Sequence, residues 1–483
     1  MTRELRRVTL AVAAMFLTLF ISATTIQSFN TEAIAQDPRN VRSLYESYKT
    51  KRGPILVDGK PIASSVEVND AFRYLRVYED PIYSSITGYF SLFHGVTGIE
   101  AATNTYLSGQ SSSQFFEQVN AVLSGNPISG AAVELTIDPL LQQAAWDALG
   151  DYKGALVAID PQTGNILAMV SKPGFDANRL AAHDNKKTSK AYSDLLANKA
   201  NPLINKAISG DLYHPGSVFK LVMAAAALES GQYTINSKLE NPVSIQLPGS
   251  TAEVYNSSRN ACGPKKMVSL IYAMRYSCNV PFVEIGLALG QDRIRTQAEL
   301  FGFGKEVNIP LIATPSIYPQ NMDDAQLALS SFGQFDVRVS PLQMAMVSAA
   351  IANDGILMKP NLIESIISAN LSVISQPEPE IFAQPITAST AEEITKMMIK
   401  SVSAGYASNA SVFGYDIAGK TGTAENGVGE RVTLWFTGFA PAVNPRVAIA
   451  LVVEDGGGLD SGASGNRTAA PVARKFFQAV LSQ

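Results

Sequence analysis

An uncharged run extends from Val8 to Thr31, with the strongly apolar stretch VTLAVAAMFLTLFISATTI at its centre. About 20 apolar residues span a bilayer's hydrocarbon core, where a lone segment satisfies its own backbone polar groups only as a helix. The run therefore fixes one element and divides the chain. Arg3, Arg6 and Arg7 precede it, and positive charge on the short side predicts a cytoplasmic N-terminus. A cleaved signal peptide is the alternative, since Ala33-Ile34-Ala35 resembles a cleavage site. The apolar run exceeds an ordinary signal core, and Ala33 lies well beyond its end. Residues 1–31 are therefore read as a cytoplasmic tip and a retained single-pass anchor. Either reading places everything after about Glu32 outside the cytoplasm.

Composition narrows the class of the remaining chain. With 483 residues, 46% hydrophobic and 17% charged, the protein is globular and long enough for more than one domain. A net charge of −4 gives no general attraction to nucleic acid. His94, His183 and His214 are scattered and no C-x-x-C occurs, so neither a metal site nor a cofactor is expected. The two cysteines, Cys262 and Cys278, lie in one region. In an oxidising compartment they are a disulfide candidate, and such a loop closure contributes roughly 3 kcal/mol. Two buried thiols are the alternative.

Along the chain, DPRNVRSLYESYKTKRGPILVDGKPIASSV suggests an exposed helix from about Asp37, then a hairpin turning at Asp58-Gly59. Residues 32–150 read as a pedestal domain that closes with a helix from Asp138-Pro139. Residues 151–483 read as a second domain. GALVAID and NILAMVS form a hairpin at its start, TLWFTGFAP and RVAIALVVED pair across Asn444-Pro445 near its end, and PVARKFFQAVL is a terminal amphipathic helix. The stretch between is mainly helical; PLQMAMVSAAIAN, for instance, is a helix broken by Asp354-Gly355.

Three short motifs carry the chemistry. In HPGSVFKLVMAAAALESG, Ser217 and Lys220 are one helical turn apart near a helix start. A serine there has the positive end of the helix dipole and free N–H groups beside it. That suits a nucleophile whose transition state builds an oxyanion, and a desolvated Lys220 can take its proton. In RYSCNVPF, Ser277 can relay a proton and Asn279 can hold an amide. The third, GYDIAGKTGTAE, also matches G-x-x-x-x-G-K-T through Gly414, Gly419, Lys420 and Thr421. A phosphate-binding loop must open a helix, whereas here a turn and the strand RVTLWFTGFA come next. Ile417 to Glu425 is therefore an edge strand. On it Lys420, Thr421 and Thr423 can hold a carboxylate, and Gly422 lets a ligand backbone come close. No nucleotide is expected.

S-x-x-K, S-x-N and K-T-G in this order are the signature of penicillin-interacting serine enzymes. With RGPILVDGKPIA, LSSFGQFDVRVSPLQMAMVSAAIANDG and LWFTGFAP, the chain resembles the class B penicillin-binding proteins. YLRVYEDPIYSSITGYFSLFHGVTGIE is similar to their actinobacterial penicillin-binding protein A subgroup. The resemblance implies a five-stranded antiparallel sheet with helices on both faces and an all-helical insert, set on an elongated α+β pedestal behind the anchor. It implies D,D-transpeptidation of peptidoglycan stem peptides in wall synthesis during growth and division, with β-lactams trapped as acyl-enzymes. Ser217 would be the nucleophile and Lys220 its base. Ser277 and Asn279 would line the cleft; Lys420, Thr421, Gly422 and Thr423 would bind substrate. The N–H groups of Ser217 and Thr423 would form the oxyanion hole. A membrane glycosyltransferase is the implied partner, because no such domain fits ahead of the transpeptidase. His214 and Phe335 stand where many relatives have proline and glycine.

Rival readings remain. A class A β-lactamase would need an E-x-x-L-N loop, and none is found. A D,D-carboxypeptidase differs only in its acceptor, which no motif records. A mainly scaffolding or β-lactam-binding member of the wall-building complex is the other alternative.

Overall fold

The computed structural model describes residues 2–29, 50–114, 118–119, 123–124, 129–427, 429–459 and 462–482. Helix α1 (Thr2–Phe29) is long and apolar enough to cross a membrane, and Leu10, Phe16 and Phe20 on it are exposed. The helix expected from about Asp37 lies outside the described residues.

The pedestal begins with the anticipated hairpin. Asp58 and Gly59 both take positive φ, 52° and 69°, as a two-residue hairpin turn of this hand requires. They join strands Ile55–Val57 and Lys60–Glu67, beside which lies Tyr74–Tyr78, and Ala132–Leu135 pairs in parallel with the first strand. The sheet is then completed from far along the chain. Ile363–Ile367 pairs with Ala132–Leu135, and Val373–Ser375 forms the outer edge of six strands. The pedestal is thus not confined to residues before 150. Strands this short show no readable period, and the pairing of Ile363–Ile367 with Ala132–Leu135 is non-local.

Inside the pedestal, Glu100 is fully buried between two buried arginines. Its carboxylate accepts from Arg52 Nε (2.5 Å), Arg76 Nε (2.6 Å) and the Tyr78 hydroxyl (3.2 Å). Burial pushes the Glu100 carboxyl up, but Arg76 and Arg52 outweigh it and hold it below the usual range.

Helix α2 (Pro139–Leu149) starts as its sequence dictates, with the Asp138 side chain accepting from Leu140 and Leu141 N–H and proline first in the helix. Its buried Gln142 donates to the carbonyls of Ile82 and Met169 and accepts from Met169 N–H. One side chain thereby ties the pedestal to the next sheet.

That sheet is β1 (Gly154–Ile159), β2 (Ile166–Lys172), β3 (Ala418–Ala424), β4 (Thr433–Ala440) and β5 (Val447–Val453), in the order β3-β4-β5-β1-β2 with antiparallel neighbours. Every residue of β1, β4 and β5 is buried, which is why these strands read as unbroken apolar runs. Between β2 and β3 run α3 (Lys220–Glu229), α4 (Val280–Leu289), α5 (Pro341–Ala352) and α6 (Ala388–Ala404), and α7 (Ala469–Leu481) ends the fold. Helices α2 and α7 share the core on one face of the sheet, and α3 and α5 belong to the core on the other.

The insert between β2 and β3 is helical in bulk but not all-helical. It carries ribbons such as Ser244–Gln246 with Glu253–Tyr255 and Lys238–Glu240 with Met267–Ser269. Each of these strands is three residues long, with Leu239, Val254 and Val268 buried at the centre of theirs, too short a run for an alternation to be read. Strand β3 lies at the sheet edge, which leaves one side of its backbone open towards α3.

Candidate active site

The helix carrying Ser217 and Lys220 opens one turn later than its sequence suggests. Gly216–Phe219 form a tight 3-10 turn, and the α-helix proper begins at Lys220. Gly216 has φ +54°, and a Cβ there would lie 2.8 Å from the Thr423 carbonyl oxygen. Only glycine lets this turn rest against β3. From behind, the Trp435 indole donates to the His214 carbonyl at 2.9 Å. The His214 ring seats its Nδ1 at 3.2 Å from Val337 O; burial, with Arg338 nearby, lowers its pKa. Ser217 thus stands at a helix entrance held by β3 and β4, with unpaired helical N–H groups beside it.

Ser277 adopts φ +55°, a left-handed conformation that costs a non-glycine residue roughly 1 kcal/mol. Two restraints hold it there. Cys278 is disulfide-bonded to Cys262, with Cα atoms 5.9 Å apart. Asn256, buried, accepts through Oδ1 from the N–H groups of Asn279 (2.8 Å) and Val280 (3.2 Å). Asn279 in turn donates to the Tyr255 carbonyl at 2.8 Å. Asn256 carried no sequence signal, since an asparagine within NSSRNACGP looks like any loop residue.

Lys220 and Lys420 are both completely buried and converge on the Ser277 hydroxyl. Lys220 Nζ donates to Ser277 O (2.8 Å) and Asn279 Oδ1 (2.7 Å), with Ser277 Oγ at 3.5 Å. Lys420 Nζ donates to Ser277 Oγ at 2.8 Å and to Thr421 O at 2.7 Å. Burial drives Lys220 well below the ordinary lysine range, and the Lys420 charge drives it further. Burial alone brings Lys420 down to about 7. A lysine amine driven toward its neutral form, sharing one hydroxyl with a second lysine, can take a proton and pass it on.

On β3 the two threonines differ. Thr421 is buried and spends its proton on the Tyr406 carbonyl at 2.7 Å. Thr423 is exposed; its oxygen accepts from Gly465 N–H at 3.1 Å, which leaves its proton for a ligand. Gly422 also departs from expectation. A Cβ there would meet Pro215 O at 2.8 Å and the Trp435 side chain at 3.1 Å. Its smallness is therefore used by the protein's own turn, and the close approach expected of a ligand is taken by Pro215.

All eight of the expected cleft residues thus lie on elements that meet around the Ser277 hydroxyl and the Ser217 turn. Comparison with known proteins places the chain in a family. Residues 154–478 match the penicillin binding protein transpeptidase domain family. The chain belongs to the penicillin-binding proteins. Residues 52–133 of this penicillin-binding protein match the penicillin binding protein A dimerisation domain. It is 40% identical, over the whole of both chains, to the peptidoglycan D,D-transpeptidase PbpA of Mycolicibacterium smegmatis. It is 38% identical to PbpA of Mycobacterium tuberculosis, over 100% of this chain and 99% of the other. Among solved structures, penicillin-binding protein A from M. tuberculosis in its penicillin G acyl-enzyme complex has a TM-score of 0.85 and 37% identity, covering 89% of this chain and all of that one. The crystal structure of the same protein gives 0.86, covering 90% of this chain and all of that one at 37% identity.

Proposed function

We propose that this penicillin-binding protein is a serine D,D-transpeptidase that cross-links peptidoglycan stem peptides and is acylated by β-lactams. The observation that carries the reading is the pair of buried lysines sharing the Ser277 hydroxyl beside the Ser217 turn. Two buried lysines with no carboxylate partner among the described residues are costly to keep charged, and such an arrangement suits pKa tuning for proton transfer.

In this reading neutral Lys220 takes the Ser217 proton as Oγ attacks the carbonyl of the D-Ala-D-Ala bond. The new oxyanion is met by the N–H groups of Ser217 and Thr423. The proton passes through Ser277 to the departing amine as the C–N bond breaks, and D-Ala leaves. A second stem's amine then takes the acyl group from Ser217. Asn279 holds the donor's amide, and Lys420, Thr423 and Thr421 face its terminal carboxylate, with Thr423 as the free donor. The activity named for the relatives and the acyl-enzyme complex support the assignment.

Helix α1 is the membrane anchor in this account, with Arg3, Arg6 and Arg7 in the cytoplasm and the catalytic domain outside. A membrane glycosyltransferase supplies the glycan strands and binds through the pedestal; co-purification of the full chain, with and without the pedestal surface mutated, tests that partner. The reaction is tested with a donor peptide ending in D-Ala-D-Ala and a labelled amine acceptor. Release of D-Ala with label in a cross-linked product supports transpeptidation. Release of D-Ala with only the shortened peptide would favour a carboxypeptidase, and no release would overturn the reading.

A further inference from the structure

We propose that Gln334 is a positioning residue for acylation, holding the end of β3 at the spacing that the two oxyanion donors need. The proposal rests on the roles given above to Ser217 and Thr423.

Three backbone segments touch here with no side chain between them. Gly216 N–H donates to Gly333 O at 2.9 Å. A Cβ on Gly333, which has φ +80°, would sit 2.1 Å from Gly216 O, and a Cβ on Gly216 would sit 2.8 Å from Thr423 O. The loop at 333, the residue before the nucleophile and the strand residue Thr423 are therefore stacked in direct contact. Any shift of one is felt by the others, because nothing flexible lies between them.

Gln334 closes this stack on its far side. Its carboxamide lies against the backbone of Glu425; in the amide orientation that satisfies both groups, the nitrogen donates to the carbonyl at 3.2 Å and the oxygen accepts from the N–H at 3.1 Å. A side-chain amide thus pairs with a main-chain amide as a neighbouring strand would. Glu425 is two residues beyond Thr423, where the regular pairing of β3 with β4 has ended at Ala424 and Thr433. Beyond that point Asn426 is tied to Arg431 O at 2.8 Å and Thr433 Oγ1 at 2.9 Å. Gln334 therefore restrains the one stretch between the last sheet rung and the next turn. It does so from the same loop that grips Gly216, so the separation between the Ser217 and Thr423 N–H groups is set from one place.

Glutamine is suited to the task because it offers both a donor and an acceptor. Glutamate keeps the length and the acceptor but loses the donor; alanine loses both. Oxyanion donors act only when aimed at the developing charge, so loosening this strand end is expected to be read in the transition state and not in the resting fold.

The experiment compares the full-length parent, Gln334→Ala and Gln334→Glu in detergent with penicillin. It measures the second-order acylation rate, the melting temperature and the infrared frequency of the acyl carbonyl in the adduct. The proposal expects acylation slower by roughly tenfold to a hundredfold, a carbonyl stretch shifted to higher frequency as its hydrogen bonds lengthen, and little change in melting temperature. A rate within about twofold of the parent would overturn it. So would a slower rate with an unshifted carbonyl, which is the mark of a loop support acting elsewhere. Should the alanine variant fail to fold, the isosteric Gln334→Glu decides on the same readouts. A parent that takes up no penicillin would overturn the acylation reading and this proposal with it. A parent acylated normally beside unaffected variants would overturn this proposal alone.

Discussion

Replacing Lys420 by methionine removes one of the two buried cations and keeps an unbranched apolar stem of similar reach. Lys220 is depressed first by burial and second by the Lys420 charge; the substitution returns only the second part. Their nitrogens lie 3.5 and 2.8 Å from the one Ser277 hydroxyl oxygen, which keeps the two charges within about 6 Å of each other. At an effective dielectric of about 20, two unit charges that close repel by roughly 3 kcal/mol. A neighbouring cation disfavours protonation, so its removal raises the Lys220 pKa, and the neutral base appears only at higher pH. The assay is the second-order rate of acylation by a fluorescent penicillin, measured from acid to mildly alkaline pH. The rate of the variant falls most below about pH 7, where the parent keeps its Lys420 charge and the ligand's carboxylate its counter-charge. The informative quantity is the midpoint of the rising limb, which moves upward. An unmoved midpoint would refute the electrostatic coupling, however far the rate fell.

The parent's own profile provides a second test. Lys420 is brought down to about 7, so in free enzyme its charge, and with it carboxylate recognition, is lost as pH rises through that value; the acylation rate of dilute penicillin declines there. Thr423→Val slows acylation more than Thr421→Val, because only Thr423 has an uncommitted proton; equal effects measured in parallel would contradict this. Removing the Cys262–Cys278 bond by double serine substitution lowers stability by roughly 3 kcal/mol in denaturant melts and slows acylation by freeing the strained Ser277, whereas an unchanged rate would mean that Asn256 suffices. Glu100→Gln leaves Arg52 and Arg76 buried without their counter-charge and costs roughly 3–5 kcal/mol, read as a lower melting temperature.

Much of the fold was legible in the sequence where the signal is local. Asp138-Pro139, Asp58-Gly59 and Asn444-Pro445 each mark a boundary through backbone chemistry, and the elements begin or turn where they stand. The choice between a phosphate loop and an edge strand at GKTGT rested on the turn and strand that come after it, and β3 is that edge strand. The motif residues were legible as types at a spacing. The long-range pairings were not. Strands Ile363–Ile367 and Val373–Ser375 join a sheet whose other members lie over two hundred residues earlier, and nothing local announces it. Asn256 and Gln334 act through the backbone of distant residues, so their own surroundings in sequence look like ordinary loops. Gly422 was visible as a glycine, but the group that needs its missing side chain is Pro215 O, which only folding brings there.

The central claim is that Ser217 is acylated through the lysine-tuned cleft. Its most direct test is the intact mass of the full-length protein in detergent after incubation with penicillin, beside a Ser217→Ala control. The account predicts a stable gain of one penicillin on the parent and none on the control. An unmodified parent with intact penicillin left in solution, or an adduct that survives in Ser217→Ala, would contradict it.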